Sequence, residues 1–161
     1  MNTRQRNQNG FSLIELLIVV AIILIIAAIA IPSLMRSKIQ ANEAAAVETL
    51  RTLDSSVVMY STSYGGFPRT LAEMGPSSGG ATTSAAADLI DSVLSTGVKS
   101  GYKFAYAVVS SDPLGNVISY SITATPLQAG VTGQRSFYTD QSGTIRSTAN
   151  GTADATSTPI G

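Results

Sequence analysis

Glu15 is the residue whose chemistry stands out in the N-terminal part of this chain. It is the only charged residue among residues 11–35, and residues 16–31 after it are all apolar. A carboxylate inside bilayer hydrocarbon costs roughly 2.5–3.5 kcal/mol on insertion scales. A plain membrane anchor has no need of that charge. The position of Glu15 therefore predicts a partner cation that the apolar segment does not itself contain.

The other polar side chains predict neither an enzyme nor a cofactor site. The sequence has no His and no Cys, which excludes His-dependent triads and the commonest zinc sites. It has no phosphate-binding motif of the form GxxxxGKS/T. Asp88 and Asp91 are three residues apart on a predicted helix and fit a solvated face better than a catalytic pair. We expect no catalytic residue, no metal and no cofactor; calcium held by Asp140 with Asp112 or Asp154 is the weaker alternative.

The basic residues of the C-terminal half do not predict nucleic-acid binding either. The formal net charge of the chain is zero. The basic residues of this half are scattered along the sequence and form no patch that can be assigned to phosphates. They include Lys99, Lys103, Arg135 and Arg146.

Residues 11–31 have the length of a membrane-spanning helix, about 31 Å at roughly 1.5 Å per residue against a bilayer core of about 30 Å. A cleaved secretory signal is one alternative, because Arg4 and Arg6 form a basic leader and residues 28–30 resemble a cleavage site. Its apolar region would be unusually long. An ordinary anchor leaves Glu15 unexplained. The third possibility is a helix that first spans the membrane and later packs against copies of itself.

A second helical segment follows, with a polar and an apolar face. Gly65 and Gly66 are predicted to end it. Its apolar residues recur at spacings of four and three, which places them on one stripe that a sheet would cover. They are Ala46, Leu50, Leu53, Val57 and Tyr60.

The next segment, residues 64–100, is predicted to be a connector. Residues 70–74 suggest one short helical turn. Ser84 can cap a helix over residues 85–94, which Gly97 would end. That helix would bury Leu89, Ile90, Val93 and Leu94.

The last third of the chain alternates with period two, which predicts an antiparallel β-meander over residues 101–147. Turns are expected at residues 112–116 and 140–143. Residues 148–161 are small and polar and are predicted to form a flexible tail. The core-facing residues of the first two strands are predicted to be Tyr102, Phe104, Tyr106 and Val108, then Ile118, Tyr120, Ile122 and Ala124.

The junction at residues 10–15, Gly-Phe-Ser-Leu-Ile-Glu, resembles the class III leader junction of type IV pilins and type II secretion pseudopilins. The resemblance covers about residues 9–36 and includes the unbroken apolar helix. Pro32 also stands where many pilins carry a helix-breaking proline. The fold implied is α+β and pilin-like: a long N-terminal α-helix, transmembrane in its first half and amphipathic in its second, packed on a small C-terminal antiparallel β-sheet.

This resemblance divides the chain into six parts. They are a leader peptide (1–10), a transmembrane and filament-core helix (11–35), an amphipathic helix (36–63), an αβ-loop region with a short helix (64–100), the β-meander (101–147) and the flexible tail (148–161).

The chain departs from many pilins in one respect. The disulfide that closes their C-terminal loop is absent here, because the sequence has no cysteine.

The resemblance also implies how the N-terminus is processed. A prepilin peptidase would cleave between Gly10 and Phe11 on the cytoplasmic side and would N-methylate Phe11. Before cleavage, Arg4 and Arg6 would orient the helix according to the positive-inside rule.

Two roles in assembly follow from the same resemblance. Glu15 would pair with the α-ammonium group of Phe11 in a neighbouring subunit, which can set the register between otherwise featureless apolar helices. Pro32 would let residues 27–31 lose helicity during filament packing, with a simple kink as the alternative.

The implied function is structural and not enzymatic. The chain would be a subunit of a type IV pilus-like filament used for adhesion, twitching motility or DNA uptake. A type II secretion pseudopilin is the alternative, and a non-polymerising membrane-anchored binding module is a remote one. The partners would be copies of the chain or other pilins, prepilin peptidase and the inner-membrane assembly platform. The chain would be a single-pass inner-membrane protein before assembly, and then part of an extracellular pilus or a periplasmic pseudopilus.

Overall fold

A computed structural model describes residues 11–77 and 79–160 of the chain. It contains two compact units, Met1–Ser37 and Lys38–Gly161. A single helix, α1 (Leu13–Tyr64), contributes to both. The predicted leader, including Gly10, lies outside the described residues.

The C-terminal half of α1 provides one side of the hydrophobic core of the second unit. The predicted stripe is confirmed, because all five of its residues are buried: Ala46, Leu50, Leu53, Val57 and Tyr60. The helix ends as expected at Gly65, which adopts a left-handed conformation (φ 79°) and donates its N–H to the Ser61 carbonyl at 2.9 Å.

The other side of this core is a six-stranded antiparallel sheet whose strands follow each other in sequence order. Together with α1 it confirms the predicted α+β fold with a pilin-like arrangement. The strands are β1 (Val98–Lys99), β2 (Tyr102–Ser111), β3 (Val117–Pro126), β4 (Ser136–Asp140), β5 (Arg146–Thr148) and β6 (Thr158–Pro159).

The far end of the β2–β3 hairpin departs from the predicted alternation. The register of the pairing shifts after Val108 and again after Ser110. A bulge bends the strand, and a slip of one residue reverses the face to which a side chain points. Val117 is therefore buried in place of Ile118, which is 54% exposed, and Val108 beside the first shift is 41% exposed. The predictions of Val108 and Ile118 as core residues are wrong.

The connector contains less helix than the sequence predicts. A 3-10 helix at Leu71–Met74 lies where the short helical turn was expected. The helix predicted over residues 85–94 is reduced to α2 (Ser92–Ser95), and its N-cap is Asp91 in place of Ser84. Residues 87–90 instead donate backbone hydrogen bonds to carbonyl groups of residues 73–75. Ile90 and Leu94 are buried as predicted, Leu89 is half-buried, and Val93 is exposed.

The C-terminal segment is also organised differently from the predicted flexible tail. Strand β6 pairs with β5, and Ala153 is buried. The Ser136 hydroxyl donates to the Gly151 carbonyl at 2.7 Å and accepts from the Ala153 N–H at 2.8 Å. Small polar residues suggested disorder, but here their backbone groups are satisfied by the sheet and by Ser136.

Candidate functional site

The apolar part of α1 is the most unusual surface of the chain. None of residues 11–37 is buried, although residues 16–31 are all apolar. The helix is long and apolar enough to cross a membrane, by length and composition. Removing apolar surface from water yields about 25 cal/mol per Å². This segment therefore requires either lipid or other protein around it.

Glu15 and Phe11 lie at the N-terminal end of that surface. Glu15 is exposed in the first turn of α1, where a negative charge is favoured by the partial positive charge of the helix N-terminus. Phe11 precedes the helix and is 82% exposed. Both groups are accessible to another chain, and their pairing between subunits stays a prediction.

Pro32 lies inside α1, which is helical on both sides of it. A proline within a helix removes one backbone hydrogen bond and strains the preceding turn, at a cost of about 3 kcal/mol. In the single chain the helix therefore tolerates Pro32 without ending there. The predicted loss of helicity over residues 27–31 concerns the assembled state and stays a prediction.

An ion pair between the buried carboxylate of Glu43 and the half-exposed side chain of Arg135 attaches the loop before β4 to α1 within the second unit. Glu43 Oε1 accepts the backbone N–H groups of Gln134 (2.9 Å) and Arg135 (3.1 Å), and its Oε2 accepts Arg135 Nε at 2.8 Å. Burial acts to raise the pKa of Glu43, but these hydrogen bonds and the Arg135 charge outweigh it and lower the pKa. Sequence reasoning missed this pair, because its members are 92 residues apart.

Asp54 is a second carboxylate of α1 that faces the sheet. Its Oδ2 accepts the Thr139 hydroxyl at 2.9 Å, and its Oδ1 accepts the Tyr120 hydroxyl at 3.3 Å. Burial raises the pKa of Asp54, and the two hydrogen bonds oppose that effect only in part. Asp54 borders the buried stripe of α1, next to Leu53.

The acidic residues considered for catalysis or calcium serve local structure. Asp91 accepts the Leu94 N–H at 2.6 Å and pairs with Lys99 at 2.8 Å, and Asp88 is exposed. Asp112, Asp140 and Asp154 each accept backbone N–H groups of their own turns. Among the described residues, the structure brings together no group of three His, Cys, Asp or Glu side chains that could hold a metal.

Comparison with known proteins identifies the N-terminal segment. Residues 5–31 match the prokaryotic N-terminal methylation motif. The chain is also 58% identical over 38 residues to the type IV wide pilus major component PilA4 of Thermus thermophilus, which covers 24% of this chain and 29% of that protein. Over these parts of its length, the chain is similar to type IV pilins and to components of type II secretion systems.

Longer matches are to proteins of type II secretion systems. The type II secretion system core protein G of Aeromonas hydrophila is 33% identical over 67 residues, which cover 42% of this chain and 47% of that protein. The core protein G of Dickeya chrysanthemi is 33% identical over 66 residues, 41% of this chain and 43% of that protein. The chain thus spans less than half the length of these relatives. The matched methylation motif and the apolar helix suggest membrane anchoring.

Proposed function

We propose that this chain is a structural subunit of a type IV pilus-like filament, assembled through residues 11–35 at and within the start of α1. The observation that carries the proposal is the exposed apolar helix with a single carboxylate at Glu15, inside the matched methylation motif. A filament core offers this helix the apolar surroundings that it needs. The bilayer offers the same before assembly, so one surface serves both states.

Glu15 supplies the specificity that an apolar surface lacks. Apolar helices can slide past one another with little change in energy, whereas an unpaired carboxylate in a helix bundle is strongly disfavoured. The α-ammonium group that leader cleavage creates at Phe11 is the partner that satisfies Glu15. Only one axial register between neighbouring helices brings these two groups together.

Substitution of Glu15 tests this role directly. In Glu15→Ala we expect normal leader cleavage and normal membrane insertion, but no incorporation into filaments, because the subunit cannot satisfy the Phe11 ammonium of its neighbour. The readouts are the mass of the N-terminal peptide and electron microscopy of sheared filaments. Glu48→Ala is the matched control, since Glu48 is an exposed carboxylate of the same helix. Wild-type filament numbers from Glu15→Ala would refute the pairing.

The processing of the N-terminus can be read from the same filaments. We propose cleavage after Gly10 and N-methylation of Phe11. Mass spectrometry of assembled subunits should then find a chain that begins at Phe11 and carries one additional methyl group. Subunits that retain Arg4 and Arg6 would contradict the proposed cleavage.

The alternative is a pseudopilin of a type II secretion system, and it is favoured by the longer matches to core protein G. Deletion of the gene separates the two functions. A pilin deletion removes surface filaments and leaves exported proteins unchanged, whereas a pseudopilin deletion leaves surface filaments in place and retains secreted proteins inside the cell. A chain needed for neither would be the membrane-anchored binding module.

A further inference from the structure

A cavity of about 260 Å³ lies in the second unit beside the last two turns of α1. Aromatic rings form much of its wall. Tyr60 and Tyr64 lie with ring centroids 4.8 Å apart, and Phe67 follows the turn that ends the helix. Pockets for drug-sized ligands measure roughly 300–1,000 Å³, so this one is suited to a ligand of about one ring. Neither Glu43 nor Asp54 lines the cavity.

Two opposite charges complete the wall of this cavity. Glu73 Oε2 accepts the Arg69 N–H at 2.7 Å and lies 3.4 Å from the Tyr60 hydroxyl, which donates to the Ser84 carbonyl at 2.6 Å. Arg69 Nη2 donates to the Gly115 carbonyl at 2.9 Å. These contacts fix both side chains in place on the wall.

These side chains still have donors and acceptors that are available to a ligand. Within the described residues, Glu73 Oε1, the other nitrogens of the Arg69 guanidinium and the Tyr64 hydroxyl make no hydrogen bond. The cavity therefore presents a charged acceptor, a charged donor and a hydroxyl, next to aromatic rings.

We propose that this cavity binds one neutral sugar ring. The charges of Arg69 and Glu73 cancel, so an ion of either sign gains no net attraction from the pair. Adjacent hydroxyl groups of a pyranose can donate to a carboxylate and accept from a guanidinium at once, and charge-assisted hydrogen bonds of this kind are about twice as strong as neutral ones. The C–H face of the sugar would pack against the ring of Tyr64, which is 37% exposed.

Saturation-transfer NMR on the purified full-length chain tests this proposal, with a detergent that has no sugar headgroup. The probes are the methyl glycosides of glucose, galactose, mannose and N-acetylglucosamine, with cyclohexanol as an apolar control. We expect transfer from the protein to the ring C–H protons of at least one glycoside, and none to cyclohexanol. The proposal does not depend on filament formation, so its outcome is independent of the Glu15 experiment.

Two variants locate the binding. Tyr64→Ala removes the exposed ring, and Glu73→Gln keeps an oxygen for the Arg69 N–H while it removes the charge. Each should weaken the transfer by about tenfold or more, and Lys103→Gln, on the exposed face of β2, should leave it unchanged. Circular dichroism checks that each variant is folded.

Three results would overturn the proposal: no transfer to any of the four glycosides, equal transfer to cyclohexanol, or transfer that survives both Tyr64→Ala and Glu73→Gln. If Tyr64→Ala lost filament incorporation while wild-type protein bound none of the sugars, the cavity would be a contact between subunits, and the sugar proposal would be refuted.

Discussion

Glu43 illustrates at the scale of a single residue how the second unit depends on charge. Its carboxylate is 8% exposed and its pKa is lowered, so the ionised form stabilises the folded state. That contribution is present above the unfolded-state pKa of about 4.3, and it is lost as pH falls through the lower pKa of the folded state.

Glu43→Gln should therefore destabilise the chain at pH 7 by about 1.5–3 kcal/mol, the range for hydrogen bonds to a charged group. The difference from wild type should shrink as the pH is lowered through 4 to 3, because wild type then loses the same charge. Thermal unfolding followed by circular dichroism measures both effects. Glu48→Gln is the control, since its ion pair with Arg51 is exposed. A pH-independent difference would contradict this account.

Asp54 should respond to pH in the opposite direction. Its pKa is raised by burial, so the protonated form is favoured in the folded state. Stability from this residue is greatest below the unfolded-state pKa of about 3.9 and declines as pH rises through the higher pKa of the folded state.

Asp54→Asn removes that decline while it keeps an acceptor for the Thr139 hydroxyl. We expect the variant to be more stable than wild type at pH 7 and equal to it near pH 3. Asp88→Asn, at an exposed position, should show no such pH-dependent gain. If Asp54→Asn were less stable at pH 7, the carboxylate would be stabilising and the direction assigned to its pKa would be wrong.

At the scale of structural elements, the loop between β3 and β4 packs closely against α1 and β2. Asn42 Nδ2 donates to the Thr132 carbonyl at 2.9 Å, and the Tyr102 hydroxyl donates to the Arg135 carbonyl at 2.8 Å. A Cβ added at Gly133 would overlap the hydroxyl end of Tyr102, whose side chain is fully buried. The loop can approach the core this closely only because residue 133 has no side chain.

Gly133→Ala should therefore destabilise the second unit by about 1–3 kcal/mol, the usual cost of overpacking. Gly79→Ala should change stability by less than about 0.5 kcal/mol, because a Cβ there meets nothing within 4 Å and φ is not positive. Chemical denaturation of the two variants gives the comparison. Equal stabilities would show that Tyr102 moves aside at little cost.

The elements that the sequence predicted well are those with a long, regular pattern. The stripe from Ala46 to Tyr60 and the inward residues Tyr102 and Phe104 follow their helical and strand periods. The exchange of Val117 for Ile118 could not be predicted, because a bulge is a property of the pairing and not of one strand. The prediction of a helix over residues 85–94 was wrong for a related reason. The backbone N–H groups of residues 87–90 donate to carbonyl groups of residues 73–75, and such tertiary contacts override local helix propensity.

In the candidate site, too, features with a local sequence pattern could be predicted and features that depend on tertiary contacts could not. Roles for Glu15 and Phe11 could be proposed from the sequence because their signal is local: one charge at a fixed distance from a predicted cleavage junction. The Glu43–Arg135 ion pair and the cavity lined by Arg69 and Glu73 form only when folding brings distant segments together. No short sequence pattern therefore predicts them.

At the scale of the whole molecule, the two units differ in what they need from their surroundings. Among residues 11–77 and 79–160, every buried residue lies between residues 43 and 153, within the second unit. The core of that unit is therefore complete without the apolar segment. Residues 11–37 contribute no buried residue to it.

A fragment of residues 38–161 should consequently fold alone. We expect it to be soluble without detergent, monomeric by analytical ultracentrifugation and cooperative in thermal unfolding, whereas the full chain should require detergent or lipid. Aggregation of the fragment, or unfolding without a cooperative transition, would mean that the N-terminal segment contributes to the core.

The C-terminal strand has a consequence for redox chemistry. The end of the sheet is held by the pairing of β6 with β5, by Arg146 Nη1 donating to the Ser157 carbonyl at 3.2 Å and by the Ile160 N–H donating to the Ile145 carbonyl at 2.9 Å. Because the sequence has no cysteine, the fold contains no disulfide that a thiol reductant could reduce. This fold therefore needs neither an oxidant nor a disulfide isomerase, and it can form equally well in a reducing or an oxidising compartment.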